Sequence, residues 1–238
     1  MGRKSLAAFL ICAITCLLLS MTCIAQKIPR HRQTFIKSIL SDAERADLII
    51  KTKRARINSL FHSYIAHKTL SKHDIVWIRK IADYYGIKKF KLFSQSLWRK
   101  LLRRVDIIPI SLIIAQAAYE SDWGRSRFAK EGLNYFGQRC TVVGCGIIPK
   151  NRAKGAIYEV KKFPAVLSSI QSYVHNLNTH SAYVHLRKIR EQQRRAHRKL
   201  QGKVLAQGLF WYSERHERYV IAIRKIIKYY GLWKYDVE

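Results

Sequence analysis

Proline and acidic side chains are both scarce in this chain of 238 residues. With only four prolines, few positions forbid a helix, and a proline-rich extended chain is excluded. The chain has 15 Asp and Glu residues against 45 Lys and Arg residues, which gives a formal net charge of +30. Any chemistry that depends on a carboxyl group therefore has few candidates.

The chain also lacks a long apolar run. Its most apolar stretch, residues 6–19, is shorter than the ~20 residues that a membrane-spanning helix needs. Arg3 and Lys4 precede it and small or polar residues follow it up to Ala25, which is the pattern of a secretory signal peptide. We expect residues 1–25 to be removed near Ala25 and the mature protein to be periplasmic or secreted. The alternative is a leader retained as a membrane anchor.

Cysteine is scarce outside this leader. Three of the five cysteines lie within residues 1–25, so the mature chain holds only Cys140 and Cys145. An even pair in an exported protein favours a disulfide. The alternative is a zinc site completed by His175 and His180, but a separation of five residues on a helix directs two side chains to different faces. We expect a disulfide, no metal and no cofactor.

The positive charge raises the question of a nucleic-acid partner. The basic residues are spread along the chain, however, and no groove-reading or base-stacking motif accompanies them. An exported basic protein more simply meets the anionic polymers and surfaces of a cell envelope, so we expect no nucleic-acid partner. The densest basic run, residues 187–198, is either a solvated helix face, which we favour, or a dedicated binding site.

Apolar residues recur at three and four positions along most of the chain, which predicts a mainly α fold. Residues 33–66 form one long helix or two, Ser71 begins another that ends at Gly86, and a further helix covers residues 91–103. The glycines and β-branched residues between Gly137 and Pro164 predict a small β-hairpin. A final helix covers residues 214–230. We divide the mature chain into a helical N-terminal segment, residues 26–95, and a second domain, residues 96–238.

Glu120 is the first candidate for a catalytic acid. It follows a strongly apolar helix that starts at Pro109, and Gln116 lies one turn before it on the same face. Trp123 follows, and Gly124 is expected to end the helix. A carboxyl at this place should be partly desolvated, which favours the protonated form that a general acid needs. The alternative is an ordinary glutamate that faces water.

The run Glu120-Ser121-Asp122-Trp123-Gly124, followed by Asn134-Tyr135-Phe136-Gly137, resembles the Bax-like glucosaminidase domain of glycoside hydrolase family 73. The resemblance covers roughly residues 95–231 and includes further motifs, namely Cys140 to Cys145, His175 to His180 with Ala182-Tyr183, and Tyr212-Ser213-Glu214-Arg215. Two residues depart from the usual motifs: Asp122 replaces a glycine and Tyr135 replaces a leucine. Asp122 either raises the pKa of Glu120 or faces solvent.

The resemblance implies a lysozyme-like fold and assigns roles to individual residues. Glu120 would be the general acid, Glu159 on the hairpin the second carboxylate, and Tyr183 a tyrosine that orients sugar or water. Glu159 could instead be an exposed strand residue paired with Lys161 or Lys162, Tyr183 a core aromatic, and the substrate's own acetamido group the second catalytic group. The residues expected to bind substrate are Gln116, Trp123, Asn134, Tyr135, Phe136 and Gly137, although Asn134 also suits a turn.

The implied activity is cleavage of the β-1,4 bond after N-acetylglucosamine in peptidoglycan, with glycan strands as the partner and the protein as a monomer. Two alternatives remain open. One is a lytic transglycosylase, which needs a single acid. The other is a cell-wall-binding module without catalysis.

Overall fold

The computed structural model describes residues 28–236, and most of them are helical. This confirms the predicted mainly α class. The first five helices are α1 Arg30–His67, α2 Lys72–Tyr84, α3 Gln95–Arg104, α4 Ile110–Ser121 and α5 Arg127–Gly132. After a small sheet follow α6 Val166–Thr179, α7 Val184–Arg195, α8 Gly202–Leu205 and α9 His216–Tyr229. Short 3-10 turns occupy Ser181–Tyr183, Ala206–Tyr212 and Leu232–Tyr235.

The predicted signal peptide lies outside the described residues. Within residues 28–236, no helix combines the length and the apolar character that a membrane crossing requires.

Serine caps set the starts of three helices. The Ser71 hydroxyl accepts a hydrogen bond from the Asp74 amide at 3.1 Å and donates to the Asp74 carboxylate at 2.6 Å, as the capping pattern predicted. Ser94 and Ser126 cap α3 and α5 in the same way. Because Ser94 is the cap, α3 starts at Gln95 and not at Lys91 as the periodicity predicted.

Helix α4 forms the centre of the core. Leu112, Ile113 and Ile114 are 0 % exposed, and the helix packs against α8, α9 and the turn Leu232–Tyr235. Burial on all sides explains why the apolar residues of α4 show no single stripe.

The end of α4 differs from the prediction that Gly124 terminates it. The helix ends at Ser121, and Asp122, Trp123 and Gly124 all have positive φ, at 50°, 56° and 78°. Three successive residues of this kind turn the chain sharply, so Glu120 lies in the last helical turn while Trp123 lies beyond the end of the helix.

The β element is a three-stranded antiparallel sheet and not a two-stranded hairpin. Its strands are β1 Arg139–Cys140, β2 Gly146–Ile147 and β3 Glu159–Lys161, in the order β1-β3-β2. The loop between β1 and β2 is closed by a disulfide between Cys140 and Cys145, whose Cα atoms lie 6.3 Å apart. The predicted disulfide is thereby confirmed.

Helix α1 is a single helix of 38 residues that packs against the remainder of the fold. Its Phe35 side chain contacts the rings of Trp123 and Tyr135, with ring centres 5.7 and 6.0 Å apart. Its Arg54 donates to the carbonyl oxygens of Leu102 and Val105 at the end of α3. Residues from His31 onward form one compact unit. The division of the chain near residue 95 stays a prediction.

The basic run on α7 is only partly solvated, so the prediction of a solvated face is wrong for two of its arginines. Arg187 and Arg190 are 3 % and 1 % exposed. Arg187 donates to the carbonyl oxygens of Leu177 and His180. Arg190 donates to the carbonyl oxygen of Arg103 at the end of α3 and to that of Ile107 between α3 and α4. Their long side chains satisfy backbone groups that no helix partner reaches.

Candidate active site

Glu120 is partly exposed at the end of α4, and its carboxylate accepts a hydrogen bond from Tyr219. Burial raises the pKa of Glu120, while the Tyr219 hydroxyl and the charge of Arg215 oppose this rise without cancelling it. Asp122 is exposed and pairs with Arg125 at 2.8 Å, so it faces solvent and is absent from the groups that shift the Glu120 pKa. The carboxyl therefore has the environment that a general acid requires.

A chain of hydrogen bonds leads from the core to Glu120. Gln116 is 0 % exposed; its amide oxygen accepts from the Tyr173 hydroxyl, and its amide nitrogen donates to the Tyr219 hydroxyl at 2.8 Å. The oxygen of Tyr219 is thus occupied as an acceptor, which leaves its proton free to point at Glu120. Gln116 acts on Glu120 through Tyr219, and its burial argues against the direct substrate contact expected from the sequence.

Tyrosines surround Glu120 on several sides. Tyr183 is 7 % exposed, and burial raises its pKa, partly offset by a bond to Asn176, with a further rise from the charge of Glu120. The Tyr212 ring stacks on Tyr219 with centres 5.4 Å apart and lies 6.0 Å from Tyr183. Burial also keeps the pKa values of Tyr173, Tyr212 and Tyr219 well above 10. All three hydroxyls therefore stay protonated and can donate near neutral pH.

The loop from Asn134 to Gly137 lies beside the carboxyl. Gly137 has φ +66°, and a Cβ atom placed there would be 3.9 Å from an Oε atom of Glu120. Asn134 is 2 % exposed: its amide donates to the carbonyl oxygens of Gln138 and Lys161, both at 2.8 Å, and its oxygen accepts from the amides of Phe136 and Gln138. These four bonds use both amide hydrogens and both acceptor positions of the Asn134 side chain. Asn134 stabilises the conformation of the loop. Its amide group has no free hydrogen left to donate to a sugar, contrary to what the sequence had led us to expect.

Three other residues expected to bind substrate are engaged elsewhere. Phe136 is 3 % exposed and stacks on Tyr173 with centres 4.1 Å apart. Trp123 packs against Phe35 and Tyr230, and Tyr135 also packs against Phe35. Trp123 and Tyr135 therefore fasten α1 to the fold. Of the six expected substrate residues, Gly137 lies beside the Glu120 carboxylate, and Gln116 is connected to it through Tyr219.

Glu159 lies on β3, as predicted, but it is 4 % exposed and pairs with neither Lys161 nor Lys162. Its carboxylate oxygens accept from the amides of Gly144 at 3.0 Å and Gly146 at 2.6 Å. These two bonds lower the pKa of Glu159. The carboxylate thus stabilises the loop that the disulfide closes, a role that the sequence did not suggest. Its catalytic role stays a prediction.

The histidines of the alternative zinc site are occupied in other ways. A ring nitrogen of His175 lies 2.8 Å from the carbonyl oxygen of Tyr84, and His180 accepts from the Ala182 amide. Cys140 and Cys145 lie near Glu159, but their sulfurs are bonded to each other and are therefore not free thiolate ligands.

Comparison with known proteins decides the family. Residues 95–232, more than half of the chain, match the model of the glucosaminidase family, described as mannosyl-glycoprotein endo-beta-N-acetylglucosaminidase. The chain belongs to the glucosaminidase family. The matched residues include Glu120, the tyrosines around it and the small sheet.

Two individual proteins are similar to this chain. Protein bax of Escherichia coli strain K12 is 36 % identical over 142 residues, which cover 60 % of this chain and 50 % of the relative. The chain thus spans about half the length of the curated relative that it matches. The catalytic domain of the autolysin Auto from Listeria monocytogenes is 19 % identical, with 88 % and 89 % of the two chains covered and a TM-score of 0.47.

Sequence reasoning missed four residues around Glu120: Tyr173, Tyr212, Tyr219 and Arg215. Tyr219 and Tyr173 fit the apolar stripes of α9 and α6, so they read as core residues. Tyr212 and Arg215 belong to a motif of the resemblance, but no spacing rule connects them with a carboxylate about 90 residues earlier. The available signal was the unusual number of tyrosines, 13 in all.

Proposed function

We propose that this chain is a peptidoglycan hydrolase that cleaves the β-1,4 bond after N-acetylglucosamine, with Glu120 as the general acid. The observation that carries the proposal is the raised pKa of a partly exposed Glu120 among tyrosine hydroxyls, beside a glycine that leaves space at the carboxyl. Membership in the glucosaminidase family supports the substrate class. The disulfide and the predicted leader support a location in the cell envelope.

In the proposed reaction, the proton moves from Glu120 to the glycosidic oxygen while the bond between that oxygen and the anomeric carbon breaks. Glu120 then becomes a carboxylate. The Tyr219 hydroxyl donates to it and Arg215 lies close enough to stabilise its charge, so both groups favour the state after proton transfer. Gln116 holds Tyr219 in the donating orientation.

The positive charge that develops on the sugar needs a second group. Glu159 is the candidate from the sequence, and the acetamido oxygen of the substrate is the other. Two amide donors already hold the Glu159 carboxylate, which supports substrate assistance. Tyr183 is proposed to orient the sugar or the attacking water, since its hydroxyl lies within the electrostatic reach of Glu120.

The test is the Glu120→Gln substitution, which keeps the shape of the side chain and removes the transferable proton. Release of soluble muropeptides from purified sacculi should fall by about 100-fold or more. Glu131→Gln is the matched control, because Glu131 is an exposed glutamate close in sequence, and it should retain activity. Near-normal release by a folded Glu120→Gln protein would refute Glu120 as the general acid, whereas no release by the original protein would favour a wall-binding module.

The second candidate is a lytic transglycosylase, in which the sugar's own hydroxyl attacks the anomeric carbon. The occupied carboxylate of Glu159 favours it, because this reaction needs only one acid. Mass spectrometry of the products separates the two: hydrolysis adds one water to each cleaved bond, whereas transglycosylation yields an anhydro sugar of unchanged total mass.

A further inference from the structure

A cavity of about 500 Å³ lies between α1, α3 and α7, and its lining shares no residue with the surroundings of Glu120. Seven arginines contribute to this lining, against two carboxylates, Asp106 and Glu191. We call it the arginine pocket. Its volume is in the range of small-molecule sites.

The two carboxylates are shared among several arginines. Asp106 is 3 % exposed in its side chain and lies 2.9 Å from Arg194, 3.5 Å from Arg54 and 3.7 Å from Arg190. Glu191 lies 2.6 Å from Arg103 and 2.7 Å from Arg195.

Two further arginines of the pocket, Arg99 and Arg187, pair with no carboxylate among residues 28–236. The lining thus carries five more positive than negative charges.

This surplus affects the arginines themselves. Burial and, to a smaller extent, the charges of Arg104, Arg190 and Arg103 together lower the pKa of Arg187 to about 10. Burial lowers the pKa of Arg190 to about 10 as well, although Asp106 opposes the change. Like charges held in a concave, partly buried site repel each other, and a bound anion would relieve that repulsion.

The side chains at the mouth suit a phosphate group. Arg99 is exposed, and the side chains of Arg103 and Arg195 are 35 % and 70 % exposed, so their guanidinium groups are accessible to a ligand. Planar guanidinium groups match phosphate oxygens with paired hydrogen bonds. Inorganic phosphate would leave most of the cavity empty, whereas Phe61 and Leu102 provide an apolar wall for a larger body.

We propose that the arginine pocket binds a phosphate ester of about the size of a monosaccharide phosphate. Its phosphate contacts Arg99, Arg103 and Arg195, and its body lies against Phe61 and Leu102. The proposal does not depend on the activity of Glu120. It assigns part of the basic run on α7 to a dedicated binding site.

Isothermal titration of the full chain with glucose 6-phosphate tests the proposal, with glucose and inorganic phosphate as reference ligands at constant ionic strength. We expect saturable 1:1 binding of glucose 6-phosphate, weaker binding of inorganic phosphate and none of glucose. In Arg99→Gln/Arg195→Gln the affinity should fall by about tenfold or more, in line with the loss of charge-assisted bonds. Arg79→Gln/Lys188→Gln removes the same charge from exposed positions outside the pocket and should bind like the original protein.

Vesicles distinguish a soluble ligand from a lipid headgroup. Co-sedimentation with vesicles that carry a phosphorylated glycolipid, but not with vesicles of its dephosphorylated form, would assign the pocket to a membrane lipid. Retention of glucose 6-phosphate binding without co-sedimentation would assign it to a soluble ester. Equal loss of affinity in both double variants, binding of inorganic phosphate as tight as that of glucose 6-phosphate, or no binding of any phosphate would overturn the proposal.

Discussion

Asp47 makes the stability of this fold depend on pH in an unusual direction. It lies on the buried face of α1 at 4 % exposure, and one of its carboxylate oxygens has no hydrogen-bond partner among the described residues. Burial raises the pKa of Asp47 from 3.8 to about 7; Lys51 and Arg194 oppose this rise, and Asp106 and Asp236 add to it. Around pH 6 the folded protein therefore keeps a proton on Asp47 that the unfolded chain has released.

The sign of the effect follows from proton uptake. Between about pH 4 and 7 the folded state binds more protons than the unfolded state, so the free energy of unfolding falls as pH rises. A difference of about three units in pKa corresponds to about 4 kcal/mol, since each unit is worth 1.36 kcal/mol. The contribution is fully present below about pH 4 and is lost as the pH rises through about 7.

Asp47→Asn removes this titration. Urea unfolding followed by circular dichroism between pH 4.5 and 9 should show the stability of the variant, relative to the original protein, rising by about 3 to 4 kcal/mol. The control is Asp122→Asn, an exposed aspartate whose pKa Arg125 lowers, for which the relative stability should not rise. Parallel curves for Asp47→Asn and the original protein across this pH range would refute the reasoning.

Two further substitutions test the surroundings of Glu120. Tyr219→Phe removes the hydrogen bond that lowers the pKa of Glu120, so the high-pH limb of the pH–rate profile on a short glycan should move to higher pH. Tyr173→Phe, which lies two hydrogen bonds further away, should move this limb less. An unmoved limb in Tyr219→Phe would remove Tyr219 from the proposed mechanism. Glu159→Gln should lower the urea midpoint of unfolding because two amides lose a charged acceptor. Well below its melting temperature, it should keep far more activity than Glu120→Gln, and an equal loss would make Glu159 a catalytic residue.

The helical part of the fold could be predicted because its signals are local. Periodicity located most helices, and Ser71 marked a helix start because a cap depends on residues three apart. The sheet was only partly predictable, since β1 and β2 have two residues each, which is too short for an alternating pattern. The end of α4 was misplaced because Asp122 and Trp123 adopt positive φ, which is uncommon for residues other than glycine.

The candidate site could be predicted at Glu120 and less well around it. An apolar helix with a terminal carboxyl is visible in the sequence. The direction of a side chain in a loop is not visible in the sequence. Asn134 and Phe136 were therefore expected to face substrate, whereas in the structure Asn134 bonds within the loop and Phe136 packs on Tyr173. Tyr219 contacts Glu120 directly, and Tyr173 is connected to it through Gln116 and Tyr219. The two tyrosines lie on distant helices, and only the folded chain brings them together.

Because α1 packs against the rest of the fold, the residues that fold together extend beyond the residues that match the family. The family match begins at residue 95, yet Phe35 fills the space between Trp123 and Tyr135, and Arg54 caps the carbonyl groups at the end of α3. A fragment cut at residue 95 would expose those rings to water and leave Asp106 with one cation fewer. The shortest fragment worth expressing for crystallisation or assays therefore starts before His31, well outside the region that family membership defines.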